Sequence, residues 1–238
     1  MLRTIIAATI AVCLFSFGVD RINAEGSELK FDVTAKPNKN FAEISMTVSN
    51  KGEKAVKLVF SSSQKYELSI RAKEGKEVYR YSVNKSFLQA LQELNLKANQ
   101  SHTWVEKWNY RKNNGELVPS GEYTVKATLL GTKSKGETIT AKTTLTVPLI
   151  TNISTTGQTG NYTVEGTAHT KASLNYTVED GHEEILSKQP VTVATDGKFK
   201  VNVTINKEDL PKNGTLILYF QEVNGKLSEP VILEKFPS

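Results

Sequence analysis

Apolar and polar residues alternate strictly along most of the chain, and this alternation constrains the fold more than any other feature. Between Phe41 and Asn50 every second residue is apolar, namely Ala42, Ile44, Met46 and Val48. The segments Tyr66–Lys73 and Tyr123–Leu129 repeat the pattern. Because successive side chains of a β-strand point to opposite faces, this period predicts antiparallel sheets that are packed on one side.

Short polar turns separate these runs, and the second half of the chain repeats the arrangement. Several turns end in glycine, as in Lys73-Glu-Gly75, Asn113-Asn-Gly115, Glu179-Asp-Gly181 and Val223-Asn-Gly225. Short strands joined by such turns predict an all-β fold with two consecutive immunoglobulin-like antiparallel β-sandwiches. Pro148 interrupts a strand ladder, so the predicted domains are residues 25–147 and residues 148–238.

Two segments depart from the plain pattern. Between Lys85 and Leu96 the apolar residues are spaced for one or two helical turns, at Phe87, Leu88, Leu91 and Leu94. Asn161–Glu165 and Asn175–Glu179 share the sequence NYTVE. The second feature predicts two neighbouring strands of one hairpin or sheet, since residues of this kind favour strands.

The N-terminus has the features of a secretory signal. Arg3 precedes the apolar run Ile5–Val19, and Ile22-Asn-Ala24 is an acceptable cleavage site. We therefore predict removal of residues 1–24 and an exported, secreted or cell-envelope protein of a Gram-positive type. An uncleaved anchor is the alternative. The single cysteine, Cys13, lies within the signal, and no apolar stretch after it is long enough to span a membrane.

Charge divides the mature chain into two unlike halves. Residues 25–144 contain 20 Lys and Arg against 13 Asp and Glu, a net charge of +7, whereas residues 145–238 contain 8 against 11, a net charge of −3. The basic half has two interpretations. It binds an anionic partner such as teichoic acid, a membrane face or an acidic protein, or its lysines are solvated and keep strand edges from pairing.

The usual catalytic motifs are absent from the sequence, which argues against an enzyme. There is no G-x-S-x-G, H-E-x-x-H or phosphate-binding glycine loop. The acidic segment Glu179–Glu184 is interpreted as a hairpin turn, and His102 shares a strand face with Trp104, Glu106, Trp108 and Tyr110. We expect no metal, no cofactor and no nucleic-acid partner, and we expect Trp108 to pack in the core.

A set of motifs in the first half resembles the Bacillus intracellular proteinase inhibitor (BsuPI) domain family over about residues 31–147. They are Val48-Ser-Asn50, the segment 61–94 (SSSQKYELSIRAKEGKEVYRYSVNKSFLQALQEL), Trp104–Trp108 and Pro119–Tyr123. Glu67 and Tyr79 replace the Asp and Trp usual in the family. Residues 149–234 resemble bacterial immunoglobulin-like modules.

The resemblance implies a β-sandwich that binds serine proteases. A substrate-like inhibitor needs a convex loop held at both ends, because a rigid loop loses little entropy on docking. The least strand-like stretch of the first domain is the candidate contact loop, comprising Ser82, Val83, Asn84, Lys85, Ser86 and Phe87. Alternatively, Phe87–Leu94 plugs the open end of the sandwich.

Two functions from different classes therefore stay open. The first is an exported serine-protease-inhibitor-like protein whose first sandwich contacts an extracellular protease. The second is a non-inhibitory adhesion or assembly scaffold that meets another component of the cell envelope.

Overall fold

The computed structural model of the chain describes residues 29–132, 138–223 and 225–237. The predicted signal, residues 1–24, lies outside them. Sixteen β-strands account for almost all regular structure in the described residues, and every strand pair among them is antiparallel. The all-β prediction is confirmed.

The first half of the described chain has nine strands. They are β1 (Leu29–Pro37), β2 (Ala42–Asn50), β3 (Val56–Phe60), β4 (Tyr66–Ala72), β5 (Glu77–Arg80), β6 (Gln92–Leu96), β7 (Ser101–Trp108), β8 (Gly121–Leu129) and β9 (Ile139–Val147). The sheets have the strand orders β1-β2-β7 and β5-β4-β8-β9, with β3 and β6 forming a separate pair. The alternating apolar residues of these sheets form one buried core, from Leu29 to Val147.

The second half has seven strands and one short 3-10 helix at Lys207–Asp209. The strands are β10 (Ile150–Gln158), β11 (Asn161–Ala168), β12 (Leu174–Glu179), β13 (Glu184–Val191), β14 (Lys198–Thr204), β15 (Gly214–Glu222) and β16 (Val231–Phe236). Their sheets have the orders β10-β11-β14 and β13-β12-β15-β16. A second buried core extends from Leu149 to Leu233.

Contacts at His169 join the two sandwiches. The chain passes from β9 to β10 through Pro148 and Leu149 alone. The His169 ring is buried, with Nδ1 2.8 Å from the Val118 carbonyl oxygen and Nε2 2.9 Å from Thr151 Oγ1. The Ser120 amide donates to the His169 carbonyl at 2.6 Å. Since Val118 and Ser120 precede β8 and His169 follows β11, this histidine bridges the two halves.

The predicted helical turns between Lys85 and Leu96 are wrong. Gln92–Leu96 is strand β6, which pairs with β3 so that Leu94 lies opposite Leu58 and Leu96 opposite Val56. Leu96 is buried, and Leu94 packs against the core. Pairing with a strand distant in sequence therefore overrides the local helical spacing.

The predicted pairing of the two NYTVE segments is also wrong. Asn161–Glu165 belongs to β11 and Asn175–Glu179 to β12, which lie in different sheets of the second sandwich. Both segments direct their tyrosine and middle valine into the same core. The shared sequence therefore reflects a shared burial pattern on two opposed sheets.

Candidate functional site

The predicted contact loop, Ser82–Phe87, lies in the connection between β5 and β6 and begins with a turn. The Val83 amide donates to the Arg80 carbonyl at 3.3 Å, and the Lys85 amide donates to the Ser82 carbonyl at 3.2 Å. Asn84 sits at the tip with φ of 63°, a left-handed conformation that Asn tolerates better than most residues. The side chains from Val83 to Ser86 are exposed. The turn therefore presents its tip to solvent.

Glu67 fixes the first end of the loop. Its Oε1 accepts hydrogen bonds from the Ser82 amide at 3.2 Å and from the Leu68 amide at 3.0 Å. Gln64 Nε2 donates to the other carboxylate oxygen at 3.4 Å. The Tyr81 amide adds a bond to the Leu68 carbonyl at 2.8 Å. The loop thus begins from a point attached to strand β4.

Ser63 fixes the second end. Its Oγ accepts a hydrogen bond from the Leu88 amide at 3.0 Å, and its own amide donates to the Leu88 carbonyl at 2.9 Å. Both backbone groups of Leu88 are therefore engaged by one residue. Ser63 and Glu67 belong to the single segment Ser61–Glu67, so one stretch of chain holds both ends of the loop.

Tyr81 lies under the loop and orders its larger side chains. Lys85 Nζ is 3.4 Å from the centre of the Tyr81 ring, a cation–π contact. The Phe87 ring lies 6.1 Å from the same ring, centre to centre. The two side chains that suit a protease specificity pocket therefore rest on Tyr81.

An aromatic row continues from Tyr81 into the sandwich. The Tyr66 ring lies 5.0 Å from Tyr81 and 5.8 Å from Trp104, centre to centre. The Tyr66 hydroxyl donates to Glu106, and burial together with this carboxylate raises the pKa of Tyr66. Tyr66 is buried, and its hydroxyl has a hydrogen-bond partner, as buried tyrosines usually do. The aromatic row therefore connects the loop to packed residues of the first sandwich.

Three apolar side chains in the loop or just after it face solvent. Val83 is 40% exposed, Leu88 70% and Leu91 75%. Of the segment Phe87–Leu94 that is alternatively expected to plug the sandwich, Leu88 and Leu91 therefore do not reach the core, whereas Leu94 packs against it. The spacing of Leu88 and Leu91 fits a buried helical face, so their exposure is not evident from the sequence. Exposed large apolar side chains so near one loop are consistent with a protein-binding surface.

The other residues singled out in the sequence have structural roles. Trp108 is buried and donates from Nε1 to the Arg111 carbonyl at 2.8 Å. Exposed His102 packs edge-on against Trp104 at 4.6 Å. The segment Glu179–Glu184 forms the turn between β12 and β13. Within the described ranges, no three His, Cys, Asp or Glu residues are grouped so that they could hold a metal.

The family comparison agrees with the motifs in the first half. Residues 29–134 match the model of the BsuPI family, described as intracellular proteinase inhibitor. The first sandwich contains a BsuPI domain. The matched part of this BsuPI domain includes the whole contact loop and both residues that hold it, Ser63 and Glu67. Strand β9, which completes the sheet, follows the matched residues.

Comparisons of the whole chain add no function. No curated protein matches it. Red sea bream transglutaminase is 16% identical over 88% of this chain and 32% of its own, with a TM-score of 0.36. The periplasmic chaperone SfaE is 15% identical over 86% and 98%, with a TM-score of 0.27. A tandem-repeat structure from a large adhesion protein is 16% identical over 87% and 49%, with a TM-score of 0.30. Scores this low do not identify a functional relative.

The family and the fold both favour a non-catalytic protein over an enzyme. The matched family is one of proteinase inhibitors, which implies a protease as the kind of partner. In the part of the chain that the structure describes, no helix is long and apolar enough to cross a membrane.

Proposed function

We propose that this chain binds a serine protease through the contact loop of its BsuPI domain. The observation that supports the proposal is that Ser63 and Glu67 hold the two ends of an exposed loop. A loop fixed in this way loses little conformational entropy when it docks. The BsuPI family match supports a proteinase as the partner.

The backbone of the loop is available for pairing with a protease. No hydrogen bond among the described residues uses the amide groups of Ser86 and Phe87. Both backbone groups of Leu88, by contrast, are engaged by Ser63. A protease strand can therefore pair with the segment just before Leu88. The exposed side chains of Val83 and Leu88 then add apolar contact area on either side.

We also propose that the protein acts outside the cytoplasm. Residues 1–24 serve as the signal, residues 25–147 form the inhibitory domain and residues 148–238 form an appended immunoglobulin-like module. The family description is intracellular, so export is a property of this chain proposed from its N-terminal sequence. Sequencing the N-terminus of material from a culture supernatant tests it. The expected first residue is Glu25, and a chain found only in the cytoplasmic fraction with residues 1–24 still attached contradicts export.

Inhibition measurements test the loop directly. The full chain is assayed against a subtilisin-type and a trypsin-type protease, together with Lys85→Ala and Phe87→Ala. We expect one of the two variants to weaken inhibition at least tenfold, about 1.4 kcal/mol. Leu227→Ala, which removes an exposed leucine of the second sandwich, is the control and should inhibit like the unmodified chain.

Two results would overturn the proposal. In the first, both loop variants fold and inhibit as the unmodified chain does, so the loop has no part in binding. In the second, the proteases simply digest the loop and are not inhibited. The second result favours the non-inhibitory cell-envelope scaffold in its place.

A further inference from the structure

The outer face of the β5-β4-β8-β9 sheet has a row of three basic side chains and one serine that the inhibitor function does not use. In register, Arg80 lies opposite Ser69, Ser69 opposite Lys126, and Lys126 opposite Lys142. Directly opposed residues of neighbouring strands share a face, so these side chains project on the same side of the sheet. The row crosses all four strands.

A shallow groove of about 430 Å³ follows this row. Ser69 is small and buried, so it forms the floor between the longer side chains of Arg80 and Lys126. Five basic side chains and one acidic side chain line the groove, namely Arg71, Lys73, Arg80, Lys126, Lys142 and Glu67. The face is therefore strongly positive.

The acidic residues near the groove leave the two lysines uncompensated. Glu77 pairs with Arg71 at 3.0 Å and with Arg80 at 2.7 Å, and Glu67 is engaged by the contact loop. No ion pair within the described residues includes Lys126 or Lys142. Like charges directly opposite each other on a sheet are destabilising. Placing Lys126 opposite Lys142 therefore lowers stability, and packing gives no reason for the arrangement.

Protection of a strand edge does not explain Lys126 either. Lysines keep strand edges from pairing with other chains. Lys126 lies on β8, which has β4 on one side and β9 on the other. Its side chain is on the face of the sheet, where it protects no edge.

We propose that this groove binds a linear polyanion whose charges are phosphate groups. Neighbouring strands are about 4.8 Å apart, so the row from Arg80 to Lys142 extends about 14 Å. A single phosphate ion cannot contact both ends, whereas a chain of phosphate groups can. Ser69, Thr124 and Thr128 add hydroxyl donors along the groove.

Other occupants fit this face less well. A peptide needs partners for its backbone, but the backbone groups of β4 and β8 are already paired on both sides. In the described part of the chain, none of the exposed large apolar side chains lines the groove, so a membrane finds no anchor. The groove also has no aromatic side chain among the described residues on which nucleic-acid bases could stack.

Binding of labelled linear polyphosphate to the full chain tests the proposal. The test variant is Lys126→Thr with Lys142→Thr, because threonine suits strands and already dominates this face. We expect at least a tenfold loss of affinity at low salt. We also expect the slope of log affinity against log salt concentration to fall by about 1.5, for two lost phosphate contacts. Thermal unfolding shows whether the variant is folded. If it is not, Lys126→Gln with Lys142→Gln is measured in its place.

The control removes the same charge from the opposite sheet. Lys36 and Lys107 are exposed lysines that flank Glu43 in register across β1, β2 and β7. Lys36→Thr with Lys107→Thr should change the affinity less than twofold.

Three outcomes would overturn the proposal. They are unchanged binding by the Lys126 and Lys142 variant, an equal loss in the control, and equally tight binding of polyglutamate of the same length. The first excludes the groove, the second indicates a general charge effect, and the third indicates an acidic peptide partner. Inhibition of proteases is measured in parallel, and its loss or retention does not affect this test.

Discussion

The two sandwiches each have an exposed turn, at the contact loop and between β12 and β13, and hold it in different ways. In the second, the turn between β12 and β13 is held by its own residues, since Asp180 Oδ1 accepts from the amides of His182 and Glu183 at 2.8 Å each. In the first, the contact loop is held by Ser63 and Glu67, which lie far from it in sequence. A turn that holds itself needs only its local sequence. A loop held by distant side chains has a position that the fold determines, as a binding loop requires.

The hydrogen bonds of the two carboxylates, Asp180 and Glu67, fit these roles. The backbone amides of Glu183 and His182 lower the pKa of Asp180, so that turn keeps its charge under most conditions. Glu67 accepts bonds from two backbone amides and a glutamine side chain. It therefore links the loop, strand β4 and the Ser61–Gln64 segment in one network.

The largest expected effect comes from removing Glu67. Glu67→Ala leaves the amides of Ser82 and Leu68 without their acceptor, which costs about 1–3 kcal/mol. We expect faster cleavage within Ser82–Phe87 in limited proteolysis and at least a tenfold loss of inhibition. Asp180→Ala is the matched control, because it removes the carboxylate that holds the turn of the second sandwich.

The contrast between the two turns would be wrong if Glu67→Ala and Asp180→Ala had the same effects. Asp180→Ala should leave both inhibition and cleavage of the contact loop unchanged. A Glu67→Ala chain whose loop stays resistant to cleavage would show that Ser63 and Tyr81 hold the loop without the carboxylate.

The sequence predicts the strands of this fold well because burial sets their period. Strand β2 buries Ala42, Ile44, Met46 and Val48, the four residues that the alternation selects. The same alternation does not predict which sheet a strand joins, as the two NYTVE segments show. A two-residue period identifies which face of a strand is buried, but partner choice depends on contacts distant in sequence.

The candidate site is harder than the strands to predict from the sequence. Its location follows from the break in alternation after Arg80, and this break is visible in the sequence. The roles of Ser63 and Glu67 are not, because a serine-rich turn and a polar residue on a strand face look solvated. Leu88 and Leu91 mislead in the opposite sense, since apolar residues are usually buried.

A smaller effect is expected where the two sandwiches meet. Burial lowers the pKa of His169 below its ordinary value of 6.5, and the charge of Arg111 also lowers it. The hydrogen bond to the Val118 carbonyl acts in the opposite direction. The folded state therefore favours the neutral ring. Its contribution to stability is complete above the unfolded-state pKa and is lost as pH falls below about 6.5 towards the folded-state pKa. The free energy of unfolding should decrease over this range.

Unfolding measured from about pH 8 to about pH 5 checks this expectation. His169→Gln should reduce the decrease, since glutamine can still donate to the Val118 carbonyl without titrating. His102→Gln, at an exposed histidine of the first sandwich, should keep the slope of the unmodified chain. A slope that is unchanged in His169→Gln would assign the pH dependence to other groups.

The smallest effect should come from the tip of the contact loop. Asn84 has φ of 63°, so Asn84→Gly removes the strain of a left-handed residue but adds backbone freedom to the unfolded chain. These effects oppose each other, and we expect a stability change within about 0.5 kcal/mol. If distant side chains hold the loop, the substitution should also weaken inhibition less than threefold. A loss as large as that of Glu67→Ala would place the rigidity in the tip itself, and the contact loop would then resemble the self-held turn at Asp180.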